Sequence, residues 1–181
     1  MLNRIVAIAG MCGSGKSVAT EYLEQKGWKK VYFGGVIYDK MREANIEITP
    51  ESQKEFRENL RKQYGMSVVA QLLFPTIKEL SLEHDVVLDG LYSWDELTFL
   101  KKELGEQLTV IAIISDKHLR YERLAHREER PFTNEEAKER DLAEIENSAK
   151  AGPIAYADYF IINNGTITSY LEQLEAILTK I

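Results

Sequence analysis

An α/β fold, with one five-stranded parallel sheet covered by helices on both faces, is predicted by three observations. Five short apolar runs rich in β-branched residues recur along the chain, at Ile5–Ala9, 30–33, 85–89, Leu108–Ile114 and 158–162. Helical patterns fill the intervals between them, and that alternation is what a parallel sheet with crossover helices requires. The first run leads into Gly10-Met11-Cys12-Gly13-Ser14-Gly15-Lys16-Ser17, which satisfies the spacing G-x-x-x-x-G-K-[ST] at every fixed position.

That spacing is the phosphate-binding loop of P-loop NTPases, and its neighbours confirm the setting. Ile5–Ala9 reads as a buried parallel strand and Lys16–Gln25 as the helix after the loop, with Gly27 as its C-terminal cap. The glycines let backbone N–H groups turn toward phosphate oxygens. Gly13, Ser14, Gly15, Lys16, Ser17 and Val18 therefore form the expected nucleotide-binding set, with Lys16 reaching the β and γ phosphates and the Ser17 hydroxyl a ligand for Mg²⁺. ATP and Mg²⁺ are the implied cofactors.

Later elements follow in order. Thr49 and Pro50 mark a helix start that runs to a stop at Gly65, and Ser67 is the expected cap of a further helix. The interval between the second and third runs thus holds at least two helices, more than a crossover needs. This insert, about residues 35–83, is well placed to hold an acceptor opposite the phosphate loop, because ligands collect beyond the carboxyl ends of the strands. Asp89 ends the third run on that same edge and is the second expected metal ligand, through water. Pro131 breaks the chain and Thr133-Asn134-Glu135-Glu136 opens a new helix, so residues 127–134 read as a short lid.

At 181 residues the chain suits one well-packed domain, residues 1–181. A net charge of −6 argues against a general nucleic-acid surface, which rests on a basic face. The apolar runs fall short of the roughly 20 residues that cross a bilayer. With the first strand beginning almost at once, no leader is expected and the predicted location is cytoplasmic. One cysteine excludes an internal disulfide framework, and Cys12 reads as a small tolerated loop residue rather than a redox switch. His118 and His126 stand apart from other metal-ligand types and receive no role. Oligomeric state is not legible.

Beyond the loop, Val87-Leu88-Asp89-Gly90, the run Arg120-Tyr121-Glu122-Arg123-Leu124 with Arg127 and Arg130, and Ala157-Asp158-Tyr159 through Asn163-Asn164-Gly165-Thr166 resemble the nucleoside monophosphate kinase and dephospho-CoA kinase group. Phe33-Gly34, Leu60-Arg61 and Tyr64-Gly65-Met66 bring the chain nearest to the adenylate-kinase-related proteins described as dephospho-CoA kinase-like. The resemblance implies γ-phosphoryl transfer from ATP to a small acceptor, with Asn163 and Gly165 in the loop beside the nucleotide base.

Phosphoryl transfer needs positioning and positive charge more than covalent chemistry. Arg120, Arg123 and Arg127 recur at spacings of three and four, along one side of a helix. Lys16, Arg123 and Arg127 are the expected catalytic cations. Arg120 and Arg130 stand open between that role and a solvated helix face, and Arg140 is placed to return to the phosphates.

Similar kinases carry one arginine after the second strand and another after the D-G motif, both gripping the acceptor's phosphate. Tyr38 and Tyr92 occupy those places here, and a tyrosine offers one hydrogen bond but no bidentate charged pair. Arg42, one turn beyond Tyr38, and Arg61, which shares a helix face with Arg57, are candidates for the displaced charge. Asp39 either orients an acceptor hydroxyl or lies on a helix surface. The expected substrate set is Tyr38, Asp39, Arg42, Arg61 and Tyr92. The expected function is ATP- and Mg²⁺-dependent transfer to a nucleotide-like or CoA-precursor acceptor; a regulatory ATPase without an acceptor, and a nucleoside kinase, are the alternatives.

Overall fold

The computed structural model describes residues 3–128 and 130–181. Five parallel strands, β1 (Ile5–Ala9), β2 (Lys29–Tyr32), β3 (Val86–Asp89), β4 (Leu108–Ile114) and β5 (Tyr159–Ile162), form one sheet in the order β2-β3-β1-β4-β5. Nine helices connect and cover them among the described residues: α1 (Lys16–Gln25), α2 (Phe33–Glu43), α3 (Pro50–Tyr64), α4 (Val68–Ser81), α5 (Trp94–Leu104), α6 (Lys117–Ala125), α7 (Asn134–Glu146), α8 (Ala151–Ala155) and α9 (Ile167–Leu178).

Strand β1 shows why both faces are covered. Its residues alternate between two apolar layers, Ile5, Ala7 and Ala9 in one and Val6 and Ile8 in the other, and all five are fully buried. With period-2 side chains and no polar face, such a strand is stable only with helices on each side. The chain departs from β1 to one side for β2 and β3 and to the other for β4 and β5. The carboxyl end of β1 is therefore the topological switch point where an α/β sheet opens a crevice.

Four predicted edges move by one residue, the second run shifting as a whole to Lys29–Tyr32. The second run ends at Tyr32 because Phe33 already starts α2, with Gly34 packed under the Tyr32 ring. Asp85 and Asp158 precede their strands. Asp85 accepts the Arg4 backbone N–H at 2.7 Å, and the Asp158 carboxylate accepts that of Val110 at 2.7 Å while its own N–H donates to the Val110 carbonyl at 2.9 Å. The helix α3 start matches expectation: Thr49 and Ser52 form a reciprocal capping box, and Gly65 closes the far end with φ 93°. Ser67 is the N-cap residue of α4 as expected, its carbonyl accepting the Gln71 N–H at 3.0 Å, but it makes no side-chain cap bond: its hydroxyl accepts from the Gln71 side chain at 2.8 Å.

No helix among the described residues is long and apolar enough to cross a membrane.

Candidate functional site

The loop after β1 is squeezed between neighbours that only glycine tolerates. A Cβ at Gly13, whose φ is 77°, would stand 2.7 Å from the Arg120 carbonyl oxygen. At Gly10 it would stand 2.6 Å from the carbonyl oxygen of Ile113 on β4. The loop delivers the chain to α1, whose N-cap is Gly15 and carries no side-chain cap bond. The first N–H groups of that helix thus remain available for an anion.

Lys16 folds over the loop and donates to the Met11 carbonyl at 3.0 Å. Burial, and then the nearby charge of Lys150, pull its pKa down to about 8. Asn163 supports the loop from β5, its amide donating to the Ser14 carbonyl at 2.8 Å, and the Tyr170 hydroxyl donates to the Gly15 carbonyl at 3.0 Å. The Ser14 hydroxyl is buried and has no partner among the described residues. Gly165 has open space around it.

Cys12 is gripped on both sides of its peptide group. Its carbonyl accepts from the Arg120 guanidinium at 3.0 Å, and Arg120 forms a bidentate pair with Asp141 of α7 at 2.8 and 2.6 Å. Its N–H donates to the Glu144 carboxylate at 3.1 Å, one helical turn further along α7. The Arg120–Asp141 pair is buried, so Asp141→Asn, which keeps the shape and removes the charge, is expected to lower stability by about 2 kcal/mol, or roughly 4–8 °C in melting temperature. A melt measured by circular dichroism checks this; an unchanged midpoint contradicts the clamp.

The expectation that Arg120, Arg123 and Arg127 converge from one helix face requires correction. Helix α6 ends at Ala125, with His126 as its cap, so Arg127 lies beyond the helix and the three do not share a face. Arg120 holds the loop. Arg123 donates to the Ser115 hydroxyl at 2.9 Å and to the Asn163 carbonyl at 2.8 Å, which fixes the base-side loop rather than leaving a free cation at the phosphates. Arg127 and Arg130 are exposed on the expected lid, which is pinned at its root by the Phe132 N–H donating to the Leu124 carbonyl at 3.0 Å. Glu129, inside that lid, lies outside the described residues.

On the opposite side, register places Tyr32 of β2, Asp89 of β3 and Ile8 of β1 side by side at the carboxyl edge. Burial raises the Asp89 pKa, against the opposing charges of Lys30 and Lys16. Burial also raises that of Tyr92, with Tyr32 and Asp89 adding to it. Tyr92 is held by its backbone N–H, which donates to Glu96 at 2.9 Å; the same carboxylate closes the Ser93 capping box of α5 and receives Arg61 at 3.4 Å. Arg57 of α3 has its pKa lowered by burial and then by Arg61 and Arg140, a crowding of guanidinium groups. It makes no ion pair with the described residues.

Of the expected substrate residues, Tyr92 and Arg61 are thus brought together on Glu96. Tyr38 stands near Tyr32. Asp39 and Arg42 do not join them: they pair with each other at 2.9 Å on the solvent side of α2, 66% and 67% exposed. Residue spacing placed them one turn apart but could not say which way that turn faces. Arg140, Glu144, Lys150, Glu96 and Asp141 were not singled out for the roles the structure gives them, apart from the expected return of Arg140. A visible signal existed for three of these, Glu96 in the S-x-x-E capping pattern that starts at Ser93, and Asp141 and Glu144 in their one-turn spacing.

The donor set fits a hydrated Mg²⁺. The Ser17 hydroxyl at the start of α1 and the Asp89 carboxylate are hard oxygen ligands, and magnesium takes one or two of these together with phosphates and water. No group of three or more His, Cys, Asp or Glu side chains able to hold a metal occurs among the described residues.

A family model described as an AAA domain matches residues 6–145. The chain is 35% identical over 182 residues to a UPF0200 protein of Sulfurisphaera tokodaii, covering 99% of this chain and 98% of that one. It is 32% identical over 181 residues to one of Thermococcus onnurineus, covering 98% and 97%. Among solved structures, TT1252 from Thermus thermophilus matches with a TM-score of 0.65 at 18% identity, over 100% of this chain and 99% of that one. A shikimate kinase from Bacteroides thetaiotaomicron matches with a TM-score of 0.61 at 13% identity, over 97% and 98%. At those identities the two structures speak for the fold, a P-loop kinase fold.

Proposed function

We propose an enzymatic role from a membership that is plain: the chain belongs to the AAA-domain family and to the UPF0200 proteins. It is an ATP- and Mg²⁺-dependent kinase whose acceptor is a small molecule bearing a phosphate or similarly compact anion. One observation carries this reading. Arg61 and Arg140 press their charge on the partly buried Arg57 near Tyr92, and of the three only Arg61 and Arg140 have an ion-pair partner among the described residues. Clustered, partly buried guanidinium groups are costly unless an anion joins them.

The absence of a carboxylate at the end of β2, where Tyr32, Phe33, Gly34 and Gly35 follow one another, favours the same acceptor class. An acceptor hydroxyl needs a base to take its proton, whereas a phosphate oxygen is already largely ionised at neutral pH and attacks without one. When bound, Mg²⁺ draws charge from the phosphate oxygens. The protein's own share is to hold the donor phosphates on the backbone of residues 13–18, place Lys16 against them, and seat the acceptor's anion on α3. Asn163 and Gly165 border the base, and Arg127 is the lid cation free to close over the transferred group.

Calorimetric binding of ATP with Mg²⁺, followed by an ATP-consumption assay with nucleoside monophosphates, dephospho-CoA and unphosphorylated nucleosides, tests it. The expected result is turnover with a phosphate-bearing acceptor. Turnover with nucleosides alone supports the nucleoside-kinase alternative, and hydrolysis without any phosphorylated product supports the regulatory ATPase.

A further inference from the structure

Lys150 is only 1% exposed, and nothing about a charged ammonium welcomes that position. It is brought there by a turn in which Ala149 adopts the left-handed φ of 50°, uncommon for a residue with a Cβ. The Lys150 backbone N–H then donates to the Glu144 carbonyl at 3.1 Å, while its Nζ lies 2.8 Å from the Glu144 carboxylate and 4.8 Å from the centre of the Tyr92 ring. Glu144 is its one ion-pair partner among the described residues, which leaves N–H donors of the ammonium to spare.

Glu144 is surrounded as a phosphate would be. One of its oxygens accepts the Cys12 N–H of the phosphate loop, and the other receives Lys150 and, at 3.2 Å, Arg140. Burial would push its carboxyl upward, yet Lys150, Arg140 and Lys16 hold it below the usual range, so the carboxylate stays charged. Lys150 is also near enough to Lys16 to disfavour its charge. The contacts run without a break from Lys16 and the loop, through Glu144, to Lys150 and Tyr92. That path joins the donor side of the crevice to the acceptor side.

We propose that Lys150 is a second phosphate-contacting cation of the nucleotide site, held on Glu144 until the terminal phosphate of a bound triphosphate takes that carboxylate's place. This rests on the kinase reading above. It makes Glu144 a competitor of phosphate, and Lys150 a contact that a diphosphate cannot fully use.

Calorimetry with Mg²⁺ and a non-hydrolysable ATP analogue, and separately with ADP, tests the assignment on Glu144→Gln, Lys150→Met and the double variant, each beside its melting curve. Glutamine keeps an acceptor for Cys12 and removes the charge, so Glu144→Gln is expected to bind the triphosphate about fivefold more tightly. Lys150→Met is expected to bind it at least about tenfold more weakly, the worth of one charge-assisted bond, with a smaller change for ADP. The double variant falls between. A merely structural pair gives the opposite sign for Glu144→Gln, a loss of affinity, and that result overturns the proposal; so does Lys150→Met with unchanged affinity or with equal losses for both nucleotides. If Lys150→Met does not fold, the sign of Glu144→Gln decides alone. Wild-type protein that binds no triphosphate overturns the kinase reading itself, whereas tight wild-type binding with indifferent variants overturns only the role of Lys150.

Discussion

Lys16→Met is expected to abolish measurable triphosphate binding and to lower phosphoryl transfer by about three orders of magnitude, while leaving the fold intact. The side chain makes a single hydrogen bond among the described residues, to the Met11 carbonyl, so its removal costs little structurally. Its ammonium sits in a buried place next to another cation and loses charge at about pH 8. A group whose folded pKa is lowered from 10.5 binds fewer protons when folded than when unfolded between those two values, so through this group stability rises with pH across the window from about 8 to 10.5. Below about 8 the full penalty of burying the charge is present. Phosphate reverses the balance, because a bound polyanion favours the charged lysine. Triphosphate affinity should therefore fall as pH rises above about 8, and binding near pH 8.5 should take up a proton. Calorimetry in two buffers of different ionisation enthalpy reads that proton directly; equal apparent enthalpies would count against Lys16 as the titrating contact. In Lys16→Met, any residual binding should show no such uptake.

The sheet and the phosphate loop were legible because each rests on local pattern. Five apolar runs with turn signals between them gave the strands to within a residue, and the misplaced edges at Phe33, Asp85 and Asp158 are positions where a side chain or a helix start takes over a strand's hydrogen bonds. The loop motif is contiguous, so its geometry follows from its own eight residues. The lid arginines were less legible, since spacings of three and four imply a shared face only while the helix lasts, and α6 stops at Ala125. Asp39 and Arg42 against Arg57 and Arg140 make the same point in reverse. All four are charged residues on helices, and only the packing of α2, α3 and α7 decides that the first pair meets each other in solvent and the second pair meets across helices. Lys150 was silent for a further reason: its burial depends on a left-handed turn at Ala149, a residue type that gives no hint of one.

Arg57→Ala is expected to lower kcat/KM for a phosphate-bearing acceptor by about 10²–10³-fold, mostly through KM, with the affinity for ATP unchanged within about twofold. The reasoning starts from what Arg57 lacks. Arg61 has Glu96 and Arg140 has Glu144, whereas Arg57 has no carboxylate among the described residues and is pressed by the other two guanidinium groups. An acceptor phosphate supplies the missing charge, and two parallel N–H bonds to it account for the loss expected on truncation. Tyr92 and Tyr32 do not replace it, because a phenol is neutral at about pH 7 and each gives one neutral hydrogen bond. Relief of crowding gives the companion sign: Arg57→Ala should be slightly more stable than the wild type in the absence of ligand, and Arg57→Lys should recover only part of the activity, since a point charge lacks the fork. Steady-state kinetics with the acceptor varied at saturating ATP, paired with a thermal melt, separates these outcomes. A variant that loses ATP affinity and acceptor affinity together would place Arg57 on the donor side and remove the anion-binding role of α3.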